Sequence, residues 1–262
     1  MTQDPVIQLI NATKSFGKQT VLNQINIEIY PGQTTVVVGK SGQGKSVLLK
    51  LMLGLLKPEG GQILVMNRDI TRLKTRDLTD IRLRFGVLFQ GGALFDSMTV
   101  YDNVALPLRE RTKLSETEIE KKVMEHLELL GIEESRWKYP AQISGGMQKR
   151  VSLARAIQLD PEIVLFDEPT TGLDPSTSNE IYNMFYLTHE RLHYTAVIVS
   201  HDIPKIFNLA DQVVVLHDGR IQECASPDDI QRSQNPIVRQ LLDSTMGPVY
   251  LSEEAEKRDE TI

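Results

Sequence analysis

Eight consecutive residues, Gly39, Lys40, Ser41, Gly42, Gln43, Gly44, Lys45 and Ser46, match the spacing G-x-x-x-x-G-K-[ST] of a phosphate-binding loop. Glycines at 39, 42 and 44 let the backbone curl so that its N–H groups face an anion at a helix N-terminus, with Val47 leading into that helix. The Lys45 ammonium can then contact the β- and γ-phosphates of a nucleotide, and the Ser46 hydroxyl can serve Mg2+. Asp167 and Glu168 end an apolar run over 163–166. Ligands of α/β sheets collect beyond the carboxyl ends of strands. A carboxylate there can hold Mg2+, and a second beside it can orient an attacking water.

Ser144, Gly145 and Gly146 combine a helix N-cap residue with backbone left bare by two glycines. That is a second anion-binding helix terminus. A plain cap needs no double glycine, and the phosphate loop already fills one nucleotide's phosphates. This terminus therefore addresses another nucleotide or another subunit's. Gln90, at the end of an 85–89 strand, can reach Mg2+ or water through its amide oxygen. His201 follows a strand whose end is expected beside that of Asp167, where a donor can sense a γ-phosphate. Phe16, between Ser15 and Gly17 in an early turn, can stack on a nucleobase; core packing is the competing role. His126, His189, His193 and His217 read as structural.

The elements that must position these residues are legible in outline. Residues 6–29 alternate apolar and polar, as half-buried antiparallel strands do. Pro31 and Gly32 turn the chain into 34–38, a run apolar on both faces and so a buried parallel strand. A helix over 47–53 follows the glycine-rich loop and ends near Gly54. Strand-like runs recur at 85–89, 163–166, 196–199 and 213–216, so strands alternating with helices imply an α/β sheet. Between 91 and 160 the texture changes. Ile119, Val123, Leu127 and Leu130 mark one helix, and Val151, Ala154 and Ile157 another within 147–158. This reads as a helical subdomain inserted into the sheet domain. From Ser226 the chain is helical and then polar.

Composition narrows the class. The 262 residues are 40% hydrophobic and 24% charged, ordinary for a globular chain. A net charge of −6 argues against a general nucleic-acid binder. The single cysteine, Cys224, excludes an internal disulfide, fits a reducing compartment and reads as half-buried. No secretory signal begins the sequence. The apolar runs are strand-sized, whereas a spanning helix needs about 20 apolar residues, so any membrane role comes through partners. The last eleven residues carry five acids against two bases, the pattern of a solvated tail.

In this order the motifs resemble those of the ATP-binding cassette (ABC) ATPases over residues 6–240. Gly39–Ser46 resembles the Walker A motif, Gln90 the Q-loop, residues 143–147 the signature, residues 163–167 with Glu168 the Walker B motif, residues 172–174 the D-loop and His201 the switch. Ile143 and Met147 depart from the ends of the common signature, and Phe16 stands where tyrosine is commoner. The resemblance implies a P-loop NTPase (RecA-like) α/β core with an N-terminal antiparallel β subdomain and an inserted α-helical signature subdomain at about 91–160, followed by a C-terminal extension over 241–262. It implies ATP and Mg2+, with Glu168 as general base, Asp167 on Mg2+ and Phe16 at the adenine. It also implies a head-to-tail dimer in which one copy's Walker A and the other's signature share each ATP. Val47, the 89–100 segment with residues 102–104, and residues 241–248 look like the ATPases of Mla/Mce-type lipid transporters. That branch implies phospholipid movement between inner and outer membranes. Its implied assembly has two ATPase copies on the cytoplasmic side of an inner-membrane permease, an Mce-domain substrate-binding protein and a STAS-domain subunit. Residues 91–110 are expected to help form the groove for the permease; for about 241–250, docking on the neighbouring ATPase is the alternative to a solvated tail. An amino-acid or ion importer ATPase shares every nucleotide motif and is the alternative.

Overall fold

The computed structural model describes residues 4–74 and 76–245. Strands β1 (Ile7–Phe16) and β2 (Gln19–Ile29) form a hairpin, and β3 (Thr34–Val38) runs through the glycine-rich loop into α1 (Lys45–Met52). Next come β4 (Gly60–Val65), β5 (Arg68–Asp69), α2 (Thr79–Arg82) and β6 (Phe85–Leu88). Three helices follow: α3 (Val100–Arg111), α4 (Glu116–Leu129) and α5 (Gly145–Ile157). The chain continues through β7 (Ile163–Asp167), α6 (Pro175–Leu192), β8 (Thr195–Ser200), β9 (Gln212–His217), β10 (Arg220–Ala225) and α7 (Pro227–Gln231). A last helix, α8, covers 236–245. Two compact units result: residues up to Thr71 together with those from Val199 onward, and Arg72–Ile198.

In the first unit, β2, β1, β4 and β5 form an antiparallel sheet in that order. Ile7 faces Ile29 and Leu9 faces Ile27 across β1 and β2, and all four are buried, which is what the alternating pattern demands. Beside this, β3 pairs parallel with β9, Val36 against Val213 and Val38 against Val215. Every residue of β3 is buried, Thr34 and Thr35 as well as the three valines that follow. Val238 and Leu242, one helical turn apart on α8, are also buried.

In the second unit β6 pairs parallel with β7, Phe85 against Ile163 and Leu88 against Phe166. Helix α4 starts at a capping box, in which Ser115 and Glu118 satisfy each other's backbone N–H groups, and buries Ile119, Val123 and Leu127. The Asp174 side chain caps α6 through the Ser176 and Thr177 amides, each at 3.0 Å. The Phe185 ring on α6 packs 4.5 Å from that of Phe166 on β7.

Some local expectations shift. Helix α1 begins at Lys45, two residues earlier than the apolar pattern, because the first turn is made from the phosphate loop itself. Strand β6 stops at Leu88, so Phe89 and Gln90 belong to the turn beyond it. Phe16 is the last residue of β1 rather than a turn residue, and Cys224 is exposed rather than half-buried. Most of the segment expected as a docking groove, 91–110, is the helix α3. The acidic tail, and the 246–250 part of the segment expected to dock on a neighbour, lie outside the described residues. Among the described residues no helix is long and apolar enough to cross a membrane.

Candidate functional site

The phosphate loop is held by close backbone contact. A Cβ on Gly39 would lie 2.3 Å from the Leu216 carbonyl oxygen of β9, so only glycine lets the chain leave β3 along this path. Gly44, with φ of 96°, is the N-cap of α1, and no side chain caps that helix start. Its first-turn N–H groups form the positive end of the helix dipole. Lys45 is 5% exposed, and its ammonium donates to the Gly39 carbonyl at 2.8 Å and the Lys40 carbonyl at 3.2 Å. The lysine thus folds back over the loop it must serve. The Gln43 side-chain oxygen accepts a hydrogen bond from the Asp218 amide, tying the loop to the β9–β10 turn. Lys40 and Ser41 are exposed at the loop's outer edge, and Ser46 and Val47 are half-buried in the first turn of α1.

Phe16 is 49% exposed and so lies outside the core. The Lys14 ammonium stands 5.1 Å from the ring centroid. Glu59 fixes that lysine at 2.7 Å, and the bonded ammonium in turn holds the Glu59 carboxyl below the usual carboxylate range. His201 lies just past β8 and is exposed, in a turn where the Asp202 amide donates to the Ser200 hydroxyl at 3.0 Å.

The second unit carries the other residues. Asp167 is the last residue of β7 and half-buried; Glu168 follows at φ 47°, a left-handed backbone that turns its carboxylate off the strand direction. The Thr171 hydroxyl donates to Glu168 Oε2 at 3.4 Å. Ser144 is the N-cap of α5, and its hydroxyl accepts from the Met147 amide at 3.3 Å. Gly145 is exposed; Gly146 is buried against α6, where a Cβ would come within 2.7 Å of Thr177 Cγ2.

Gln90 is exposed, yet its backbone is anchored. The Lys149 ammonium of α5 donates to the Gln90 carbonyl. One turn further along α5, the Ser152 hydroxyl is shared between the Gln148 carbonyl of its own helix at 2.8 Å and the Gly92 carbonyl at 3.1 Å. Another turn on, the Arg155 guanidinium donates to the Gly92 and Ala93 carbonyls, both at 2.8 Å. Asn103, fully buried on α3, holds the next stretch: its Oδ1 accepts from the Phe95 amide at 2.8 Å, and its Nδ2 donates to the Phe95, Met98 and Thr99 carbonyls within 3.2 Å. These four anchors were not read from the sequence. The three-residue spacing of 149, 152 and 155 behind Ser144 is a signal for a shared helix face, but nothing local says what that face meets.

Around this pinned loop several large apolar side chains are exposed: Phe89, Phe95, Trp137 and Tyr139, with Trp137 at 62%. Trp137 lies 5.4 Å from the Tyr101 ring, and the Arg136 guanidinium lies 5.6 Å from its centroid.

Known proteins share this architecture. A family model described as ABC transporter matches residues 22–171. A Mycobacterium leprae protein described as a probable ribonucleotide transport ATP-binding protein is 41% identical, over 98% of this chain and 74% of its own. The intermembrane phospholipid transport system ATP-binding protein MlaF of Haemophilus influenzae is 38% identical over 93% of both chains. Among solved structures, a dimeric ATP-binding cassette in a post-hydrolysis state, bound to ADP and Pi, matches with a TM-score of 0.77 at 32% identity, covering 84% of this chain and 98% of that one.

Proposed function

We propose a working cycle from one premise: this chain belongs to the ABC transporter family, as an ATP-hydrolysing subunit whose turnover drives transport. The fold is that of an ABC cassette, α/β with an antiparallel β portion and a helical insertion. In our reading the phosphate loop takes the phosphates of ATP on the backbone N–H groups of residues 42–46, with Lys45 turning from its loop carbonyls to the β- and γ-phosphates. Phe16 stacks on the adenine. Glu168 accepts a proton from the attacking water as the water oxygen bonds to the γ-phosphorus and the bond to the β-phosphate oxygen breaks. His201 donates toward the γ-phosphate, and Gln90 orients the water. The left-handed turn at Glu168 and its Thr171 partner support this, because they hold the carboxylate in one direction.

Ser46 and Asp167 fit Mg2+ as hard oxygen donors, with Gln90 as a further amide oxygen. Among the described residues no group of three or more His, Cys, Asp or Glu could form an all-protein metal cage. When bound, Mg2+ neutralises charge on the phosphate oxygens.

The observation that carries the assembly is the second helix terminus. Ser144, Gly145 and Gly146 are an anion-binding helix start that this chain's own phosphate loop does not need, so we read them as completing the ATP site of a second copy placed head to tail. The exposed aromatic side chains beside the pinned 90–99 loop support a permease docking there. For cargo we favour phospholipid moving between inner and outer membranes, with the ATPase peripheral on the cytoplasmic face of the inner membrane. An Mce-domain protein and a STAS-domain subunit complete this reading. The 38% identity to an intermembrane phospholipid transport ATPase over nearly both whole chains supports it, and the loop after Gln90 carries the resemblance. The 41% identity to a relative described for ribonucleotide transport favours a different cargo. Transfer of labelled phospholipid between vesicles by the reconstituted complex separates the two: ATP-dependent lipid transfer supports ours, and its absence alongside normal ATPase activity overturns it. For the chemistry, Glu168→Gln is expected to bind ATP, trap the closed dimer and lose turnover. A normal rate in that variant would remove Glu168 as the base.

A further inference from the structure

Helix α5 does two things at opposite ends of one rigid rod. Its first turn is the Ser144–Gly146 terminus, and its following turns hold the loop after Gln90. Lys149, Ser152 and Arg155 lie along one side of the helix, spaced by three residues and spanning about 9 Å at 1.5 Å per residue. All three donate to backbone carbonyls of residues 90–93 and to no other loop. The fit is tight: Gly92 has φ of 72°, and a Cβ there would lie 2.7 Å from Ser152 Oγ.

The chemistry of this contact is unusual. Lys149 is 7% exposed and Arg155 half-buried, yet among the described residues neither has a carboxylate partner. Burial pushes both cations below their ordinary ranges. A buried cation without an anion is costly unless its donors are satisfied. Here the only acceptors are loop carbonyls, so detaching the loop leaves two buried charges without partners. Loop and helix are thereby bound to move together.

We propose that Lys149 and Arg155 are positioning residues that lock the loop after Gln90 to helix α5, so that capture of a second copy's nucleotide at Ser144–Gly146 is felt directly at Gln90 and at the permease-facing loop. This rests on the two-copy reading above and adds the path by which one half-site reports to the other.

The test uses the full chain carrying Glu168→Gln, with MgATP as the ligand and peptide-resolved amide hydrogen exchange as the readout. In that background ATP is expected to slow exchange both at 144–150 and at 88–94. Adding Lys149→Met, or Lys149→Met with Arg155→Gln, should leave the slowing at 144–150 in place. The ATP-dependent slowing at 88–94 should then fall roughly fivefold or more. Lys149→Arg, which keeps a cation within reach of the carbonyl, should restore it. If the variants unfold, Ser152→Ala, which removes one neutral donor, should show the same selective loss at smaller size. Equal ATP-dependent slowing at both segments in the clasp variants overturns the inference and leaves the two-copy reading standing. Uniformly faster exchange with or without ATP, not corrected by Lys149→Arg, also overturns it, by showing a merely structural role. Absence of any ATP effect at 144–150 in the Glu168→Gln background would instead remove the two-copy reading itself.

Discussion

Two helix starts in this molecule bear on phosphate, and they are built differently. Helix α1 begins at Lys45 behind the N-cap Gly44, with no capping side chain, after a loop so close to β9 that Gly39 has no room for a Cβ. Helix α5 begins at Ser144 with its own hydroxyl already accepting from the Met147 amide. The first has no capping side chain and opens on a buried lysine, Lys45. The second satisfies part of its terminus internally, carries no cation in its first turn, and has Gly145 exposed and Gly146 buried against α6. In the function we propose, the first is the phosphate cradle and the second completes the cradle of another copy. The difference teaches that the same macrodipole serves capture in one place and completion in the other.

The sharpest way to break this comparison is Lys45→Ala. Loss of a charge-assisted contact to phosphate should weaken ATP binding by about a hundredfold, at roughly 2–3 kcal/mol, and remove hydrolysis. Calorimetric titration of ATP into the variant checks it. Next is Gly146→Ala, whose methyl group would collide with Thr177 Cγ2. ATP affinity of the single chain should stay within about twofold, because the phosphate loop is untouched, while ATP-driven dimerisation measured by light scattering is lost. Thr177→Ser removes the offending methyl group and keeps the hydroxyl that donates to Asp174 at 2.6 Å. The double variant Gly146→Ala, Thr177→Ser should therefore dimerise again.

The smallest expected effect concerns acid. Burial lowers the pKa of His126 on α4, although Asp160 and the Lys122 carbonyl act the other way. A group depressed on folding contributes stability above its unfolded value, about 6.5, and that stability is lost as pH falls through the folded value. The helices of the second unit should lose stability below about pH 6.5, while exchange in the β3–α1 region stays level. His126→Gln should flatten that slope in hydrogen exchange of α4.

How much of this was written locally can be argued from single elements. The alternation over residues 6–29 gives β1 and β2 because period-two burial needs only the strand itself. The stripe Ile119, Val123 and Leu127 gives α4 for the same reason at helical period. Strand β4 was not legible: it opens with Gly60 and Gly61, which weaken any strand signal, and it forms because β1 supplies a partner about fifty residues earlier, Ile7 against Val65 and Leu9 against Ile63. For Phe16 the sequence leaves core packing and stacking both open, and only the fold shows its ring exposed.

By itself the sequence determined the phosphate loop, the paired carboxylates and the second helix terminus. These depend on residue types at fixed short spacing, where backbone freedom and donor geometry are local properties. Only the tertiary structure decided that Lys149, Ser152 and Arg155 grip the loop after Gln90, that Asn103 pins the stretch after it, and that Gly39 and Gly146 have no space for a methyl group. Apart from the short reach of Asn103 to Met98 and Thr99, those are contacts between residues from eight to well over a hundred positions apart. No local pattern encodes which carbonyl a buried cation will find, because that choice is made by whatever acceptor the packed chain leaves within its reach.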